Sequence, residues 1–265
     1  NQNLVVIFEE KYLKINNLLN LKKSKKQIYF IGIFEKENID LIKNNIDLAC
    51  NNSNRDRDEI FLLPVSKTVD VEKIQEAIEL GFNTFGENKV QEILKKYDFF
   101  EGKVKFHMIG HLQTNKVKSI IDKVELIHSL DRISLLDKLE TEAKNKKIKV
   151  RCLVEVNIGK EDSKSGLFEE EVIDFIKEVS KRDNVLIEGL MTVAPYRENV
   201  EDTRIYFKKM KSLFDEISSL GLKNIDMKIL SMGMSNDFIV AIEEGANLIR
   251  IGTSIFGKRD YRVLS

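Results

Sequence analysis

The chain has 265 residues, close to the ~250 of a single barrel of alternating strands and helices, and 42% of them are hydrophobic, enough to build a core. Its 43 Lys and Arg balance 43 Asp and Glu, so the net charge is zero and no long-range field draws it to nucleic acid or to an anionic membrane. Two isolated cysteines, Cys50 and Cys152, argue against a disulfide framework, and no apolar run approaches the ~18–20 residues that span a bilayer. The expectation is a cytoplasmic protein.

Residues 1–36 do not share the rhythm of the rest. The apolar stretch 4–8 is followed at once by Glu9, Glu10 and Lys11, unlike a secretory signal. Lys22, Lys23, Lys25 and Lys26 form a basic cluster before a brief apolar run over 28–34. An added strand, an added helix, a leader addressing an organelle and a poorly ordered extension all fit this segment. The second unit, residues 37–265, begins with Ile39, Ile42, Ile46 and Ala49 at near-helical spacing over 37–52, then a polar loop over 51–58.

From residue 60 the sequence alternates. Strands are predicted at 60–65, 82–85, 105–109, 125–128, 149–156, 185–191, 226–230 and 247–251. Helices are predicted between them at 71–80, 89–97, 115–122, 133–145, 169–181, 201–220 and 236–244. Gly81, Gly221 and Gly245 fall just past helices, where a left-handed cap suits glycine. Such alternation implies parallel strands in right-handed crossover units. Eight strands favour an α/β fold of the (β/α)8 TIM-barrel type over an open doubly wound sheet. No Gly-x-Gly-x-x-Gly follows the first strand, which weakens the dinucleotide alternative. Pro64 and Pro195 lie at a strand end and in a loop.

Barrel sites sit at the C-terminal ends of the strands. Those ends carry Ser66-Lys67-Thr68, Gly86-Glu87-Asn88, His107-Met108-Ile109-Gly110-His111, Ser129, Asn157, Met191-Thr192, Ser231-Met232-Gly233-Met234-Ser235 and Arg250-Ile251-Gly252-Thr253. Lys67 follows an apolar strand, where desolvation disfavours the ammonium and favours an amine nucleophile. A surface lysine snorkelling from the strand end is the plainer account. Gly233 and Gly252 permit close backbone approach, Ser235 and Thr253 offer hydroxyls, and Ser235 is placed to cap helix 236–244, together a phosphate cradle. Two ordinary helix caps with turn glycines would look the same. A lysine across from such a cradle is what a lysine-bound phosphorylated aldehyde needs.

Arg250 would then face the cofactor ring, keeping a pyridine nitrogen unprotonated because guanidinium holds its protons. An ion pair with Glu243 or Glu244 is its structural alternative. His107 and His111 lack an evident third ligand, so no metal site is expected. His128 reads as a satisfied strand histidine, and Lys164 as either a solvated loop lysine or one that reaches the barrel mouth.

Several motifs, in order and at compatible spacing from about residue 38 to 261, resemble the pyridoxal phosphate homeostasis protein family. They are Val65-Ser66-Lys67-Thr68, Phe85-Gly86-Glu87-Asn88 with Val90-Gln91-Glu92, and His107 through Lys116. They continue with Ser163-Lys164-Ser165-Gly166-Leu167, Gly189-Leu190-Met191, Ser231 through Asp237, and Arg250-Ile251-Gly252-Thr253 with Ile255-Phe256-Gly257. The resemblance implies a barrel like the N-terminal domain of alanine racemase, with pyridoxal 5′-phosphate (PLP) as a Schiff base on Lys67. It implies phosphate at Ser235, Gly252 and Thr253, the ring nitrogen near Arg250, and Asn88, Met191, Ser231 and Gly233 lining the pocket. It further implies a carrier that buffers PLP and delivers it to PLP-dependent apoenzymes, with no catalytic residues; a monomer or weak dimer is expected.

Many members carry a second lysine two positions after the first. Here that position is Val69, which puts any transfer role of such a lysine in doubt. The rival reading is a PLP-dependent amino-acid racemase. A two-base racemase takes its second base from a separate β-domain, and the sequence ends a few residues past Thr253, so the carrier is expected.

Overall fold

The computed structural model describes residues 26–257, with side chains from residue 36 onward. The first element, α1 (Lys26–Ser53), begins ahead of the predicted 37–52 and takes in the apolar run over 28–34 as helix. The rest of the N-terminal segment, with Lys22, Lys23 and Lys25, lies outside the described residues. Eight strand–helix units follow. They are β1 (Phe61–Pro64) and α2 (Val71–Glu79), β2 (Thr84–Glu87) and α3 (Val90–Phe99), then β3 (Lys105–Met108) and α4 (Val117–Ile120). Next come β4 (Leu126–Leu130) and α5 (Ile133–Lys146), β5 (Val150–Glu155) and α6 (Glu169–Val179), and β6 (Val185–Met191) and α7 (Arg204–Ser219). The last are β7 (Ile225–Ser231) and α8 (Phe238–Glu243), then β8 (Leu248–Ile251) and α9 (Thr253–Phe256).

The strands form one parallel sheet in the order β1-β8-β7-β6-β5-β4-β3-β2. A parallel bridge between Val65 and Gly86 joins its two ends, with Ser66 N donating to Gly86 O at 3.0 Å. The expected α/β TIM barrel is therefore the fold, and the open sheet is not.

The helices pack because their apolar positions recur on one face. In α6, Val172, Phe175, Ile176 and Val179 repeat at three- and four-residue steps and all are buried. In α1, Ile39, Ile42, Ile46, Ala49 and Cys50 do the same, against α8 and α9. This helix covers the barrel wall beside β8. The two cysteines are free and buried, and Gly81 and Gly245 take the positive φ expected of caps. Among the described residues no helix is long and apolar enough to cross a membrane.

Candidate functional site

At the C-terminal end of β1 the chain leaves Pro64 through Val65 and turns at Ser66, where Val69 N donates to Ser66 O at 3.0 Å. A buried charged cluster that sequence reading did not single out holds this turn. Ser66 Oγ donates to Glu87 Oε1 at 2.6 Å. Lys96 Nζ, from α3, donates to Ser66 O at 2.7 Å and to Glu87 Oε1 at 2.6 Å. Glu92, one turn before Lys96, accepts from Thr68 N at 2.7 Å and fixes Thr68 at φ 61°. Burial pushes Glu87 up to about 7, against the pull of Lys96 and Ser66. Glu87 and Glu92 stood within sequence motifs, but nothing in the sequence pointed to Lys96 as their partner. Lys67 is the residue this clamp presents.

Lys67 lines a cleft of about 950 Å³ over the barrel mouth, within the usual range for small-molecule sites. Asn88, Ser235, Arg250, Gly252 and Thr253 line the same cleft, so six of the nine expected site residues meet there. Met191, Ser231 and Gly233 do not reach its wall. Met191 is buried inside the barrel against Leu126 and Leu153. Ser231 is fully buried beneath Arg250, and Gly233 accepts from Arg250 N at 3.0 Å. Gly233 is required where it stands: at φ 93° a Cβ would come within 2.7 Å of the Ala241 Cβ and 3.0 Å of the Phe238 Cα.

Arg250 Nη1 donates to Ser231 Oγ at 2.6 Å and Nη2 to Thr192 O at 2.8 Å. Its alternative partners are occupied elsewhere, since Glu243 and Glu244 both hold Arg204, at 2.6 and 2.7 Å. Burial lowers Arg250 to about 10, opposed by Asp237 and Glu155, and it remains a cation at neutral pH. Glu155 is itself pushed up to about 7 by burial and by Asp131.

Two expectations need correction. Ser235 does not cap α8; the cap is Asp237, whose carboxylate turns back to accept from Met234 N at 2.6 Å. The helix starts two residues later than its polar preface suggested, because Asp237 and not Ser235 closes the loop. His107 does not belong to the mouth either. It faces the opposite end of the barrel, where its ring stacks on Phe61, with centroids 6.2 Å apart. Its Nδ1 lies 3.0 Å from His128 Nε2. Lys164, in contrast, does reach the cleft, where it pairs with Glu161 and donates to Ala194 O at 3.1 Å. Residues 193–198 also supply much of one wall, including exposed Tyr196 and Arg197, and no motif marked them. Among the described residues no group of three or more His, Cys, Asp or Glu could hold a metal ion.

Residues 37–260 match the model of the alanine racemase N-terminal domain. A pyridoxal phosphate homeostasis protein of Aquifex aeolicus is 44% identical over 226 residues, covering 85% of this chain and 98% of that one. The chain belongs to the pyridoxal phosphate homeostasis protein family. Two solved structures extend the likeness. A protein of unknown function from Bifidobacterium adolescentis superposes with a TM-score of 0.81 at 29% identity, over 85% of this chain and 96% of that one. PipY of Synechococcus elongatus PCC7942, solved with PLP bound, superposes with a TM-score of 0.69 at 29% identity, over 75% and 93%. The curated relatives are named for a homeostatic role rather than for an enzymatic activity.

Proposed function

We propose that the chain binds PLP in the mouth cleft as a Schiff base on Lys67, and that it buffers and delivers this cofactor without catalysing a reaction of its own. The observation that carries the reading is the meeting of Lys67, Arg250, Ser235 and Thr253 in one cleft. The donor set suits the cofactor. A primary amine can condense with the aldehyde and release water, hydroxyls suit the phosphate, and a buried guanidinium bonded only to neutral oxygens suits the ring nitrogen. Asn88, Gly252 and Lys164 complete the wall, with Met191, Ser231 and Gly233 supporting it from beneath.

Bound PLP supplies an electrophilic carbonyl and a ring able to accept electrons; the protein sets how much of that power is used. Arg250 remains protonated and offers no proton to the ring, which keeps the electron sink weak and favours holding over carbanion chemistry. Relatives named for pyridoxal phosphate homeostasis and a solved homologue with PLP bound support the same assignment. In this reading the binding unit is the barrel of residues 37–265, a cytoplasmic monomer or weak dimer, and the recipients are PLP-dependent apoenzymes.

The test offers PLP-loaded protein a panel of L- and D-amino acids, with an alanine racemase as control. The measurements are α-proton exchange and racemisation. The expected result is spectral binding of PLP with neither reaction above background. Robust turnover by the purified protein would replace the carrier with the racemase reading.

A further inference from the structure

The interior of a parallel barrel is ordinarily filled by layers of branched apolar side chains. Here a line of polar side chains crosses it. His128 and Ser231 are fully buried, while His107 and Arg250 are 6% and 4% exposed. Arg250 Nη1 lies 2.6 Å from Ser231 Oγ, Ser231 Oγ lies 3.2 Å from His128 Nδ1, and His128 Nε2 lies 3.0 Å from His107 Nδ1. His107 Nε2 then faces Glu125 Oε2 at 3.8 Å. His107 and Glu125 line a shallow opening of about 380 Å³ at the N-terminal end of the strands, opposite the mouth.

The order of donors and acceptors along this line has one consistent solution. A guanidinium only donates, so Ser231 Oγ must accept from Arg250, which leaves its single hydrogen to give away. Its neighbour along the line is His128 Nδ1. A neutral imidazole that accepts at Nδ1 carries its hydrogen on Nε2, so His128 donates to His107 Nδ1. By the same rule His107 carries its hydrogen on Nε2 and presents it to the Glu125 carboxylate. The reverse direction would strand the Ser231 hydrogen between two donors and aim a ring lone pair at a carboxylate.

The groups around the line agree with it. Lys105 holds Glu125 at 3.0 Å and Arg151 approaches it at 3.6 Å, so the terminal acceptor stays ionised. Burial lowers His107 from the usual histidine value against the opposing pull of Glu125, with a smaller push from Arg151 and Lys105, and burial with His107 and Arg250 lowers His128 further. Both are therefore neutral at pH 7, as the line requires.

We propose that His128 and His107 are positioning residues for Arg250, which act through a one-way hydrogen-bond line, Arg250 to Ser231 to His128 to His107, whose end faces the Glu125 carboxylate across 3.8 Å. The line fixes the guanidinium at the floor of the mouth cleft and locks each imidazole in its Nε2–H form. That Arg250 there meets the cofactor ring rests on the function proposed above; the line itself does not.

The chain has only three histidines, His107, His111 and His128, so nitrogen NMR of 15N-histidine-labelled protein resolves them, with His111→Gln removing the exposed one. Two neutral Nε2–H imidazoles at pH 7 to 8 are expected. An Nδ1–H form at either site, or averaging between forms as in free imidazole, overturns the line. His128→Asn keeps an acceptor near the Nδ1 position and His128→Leu removes it. PLP dissociation should rise about fivefold for His128→Leu, the effect of one neutral hydrogen bond, with a shift in the visible absorbance maximum. His128→Asn should remain near wild type and Ser231→Ala should resemble His128→Leu. Wild-type behaviour of Ser231→Ala, or equal loss in His128→Asn and His128→Leu, overturns the positioning role. If wild-type protein takes up no PLP, the functional reading fails, and the imidazole forms still decide the line.

Discussion

Lys96 illustrates how much at the residue scale depends on partners distant in sequence. The residue is 4% exposed and its ammonium pairs with Glu87, which is fully buried beneath the turn that carries Lys67. Lys96→Met would leave that carboxylate without its cation. Breaking a buried pair in this way costs about 3–5 kcal/mol when the remaining group must stay charged. Glu87 sits near 7 even with Lys96 present, so below that pH the variant can protonate it and escape part of the cost. Urea unfolding should therefore show a larger loss at pH 8 than at pH 6; equal losses would contradict the account. At the cradle, Ser235→Ala and Thr253→Ala should each weaken PLP retention severalfold, at ~1 kcal/mol per hydrogen bond, while leaving the unfolding midpoint of the apoprotein unchanged. Unchanged affinity in both would remove the phosphate assignment. Lys67, Arg250 and Thr253 were legible because strand ends in a barrel converge at one mouth. The Lys96 clamp and the histidine line were not, because their partners come together only when separate strands and helices assemble.

At the scale of elements, β6 is where pattern reading succeeded outright: the apolar run 185–191 is the strand Val185–Met191. β2 is where it slipped. The run 82–85 was taken for its aromatic and branched residues, yet Phe82 and Asn83 belong to the turn after Gly81, with Phe82 N donating to Ala77 O at 3.1 Å. The strand is Thr84–Glu87 instead, and its glutamate is tolerated because Ser66 and Lys96 both bond to Oε1 of the buried carboxylate. In α8 a local hydrogen bond decided the boundary, since Asp237 accepts from Met234 N and the regular turns begin at Phe238. The loop before α8 depends on Gly233, whose φ of 93° and close neighbours leave no room for a side chain. Gly233→Ala should cost about 1–3 kcal/mol by overpacking, read as a lowered urea midpoint. A midpoint equal to wild type would show that the loop relaxes freely.

For the whole molecule, the alternation of eight strands with helices was sufficient to give the barrel, because a parallel strand pair demands a crossover and eight of them close a ring. Closure at the β1–β2 seam rests on the Val65–Gly86 bridge, beside the turn bearing Lys67, so the fold and the site share this seam. Charge acts at this scale too. Glu125, at the end of the barrel away from the mouth, is held at about 2 by the His107 ring beside it and by Lys105. A carboxyl depressed below its unfolded value near 4.5 adds stability above that value and loses it as pH falls towards 2. Acid unfolding should accordingly be shallower over pH 4.5 to 2 in Glu125→Gln than in wild type. An unchanged slope would mean that Glu125 is not held.

In the proposed function one lysine among many anchors the cofactor. Borohydride reduction of PLP-loaded protein, followed by peptide mapping, tests it most directly. A pyridoxyl adduct is expected on the peptide containing Lys67, and none in Lys67→Ala. An adduct on another lysine, such as Lys164, or none at all after loading, would contradict it.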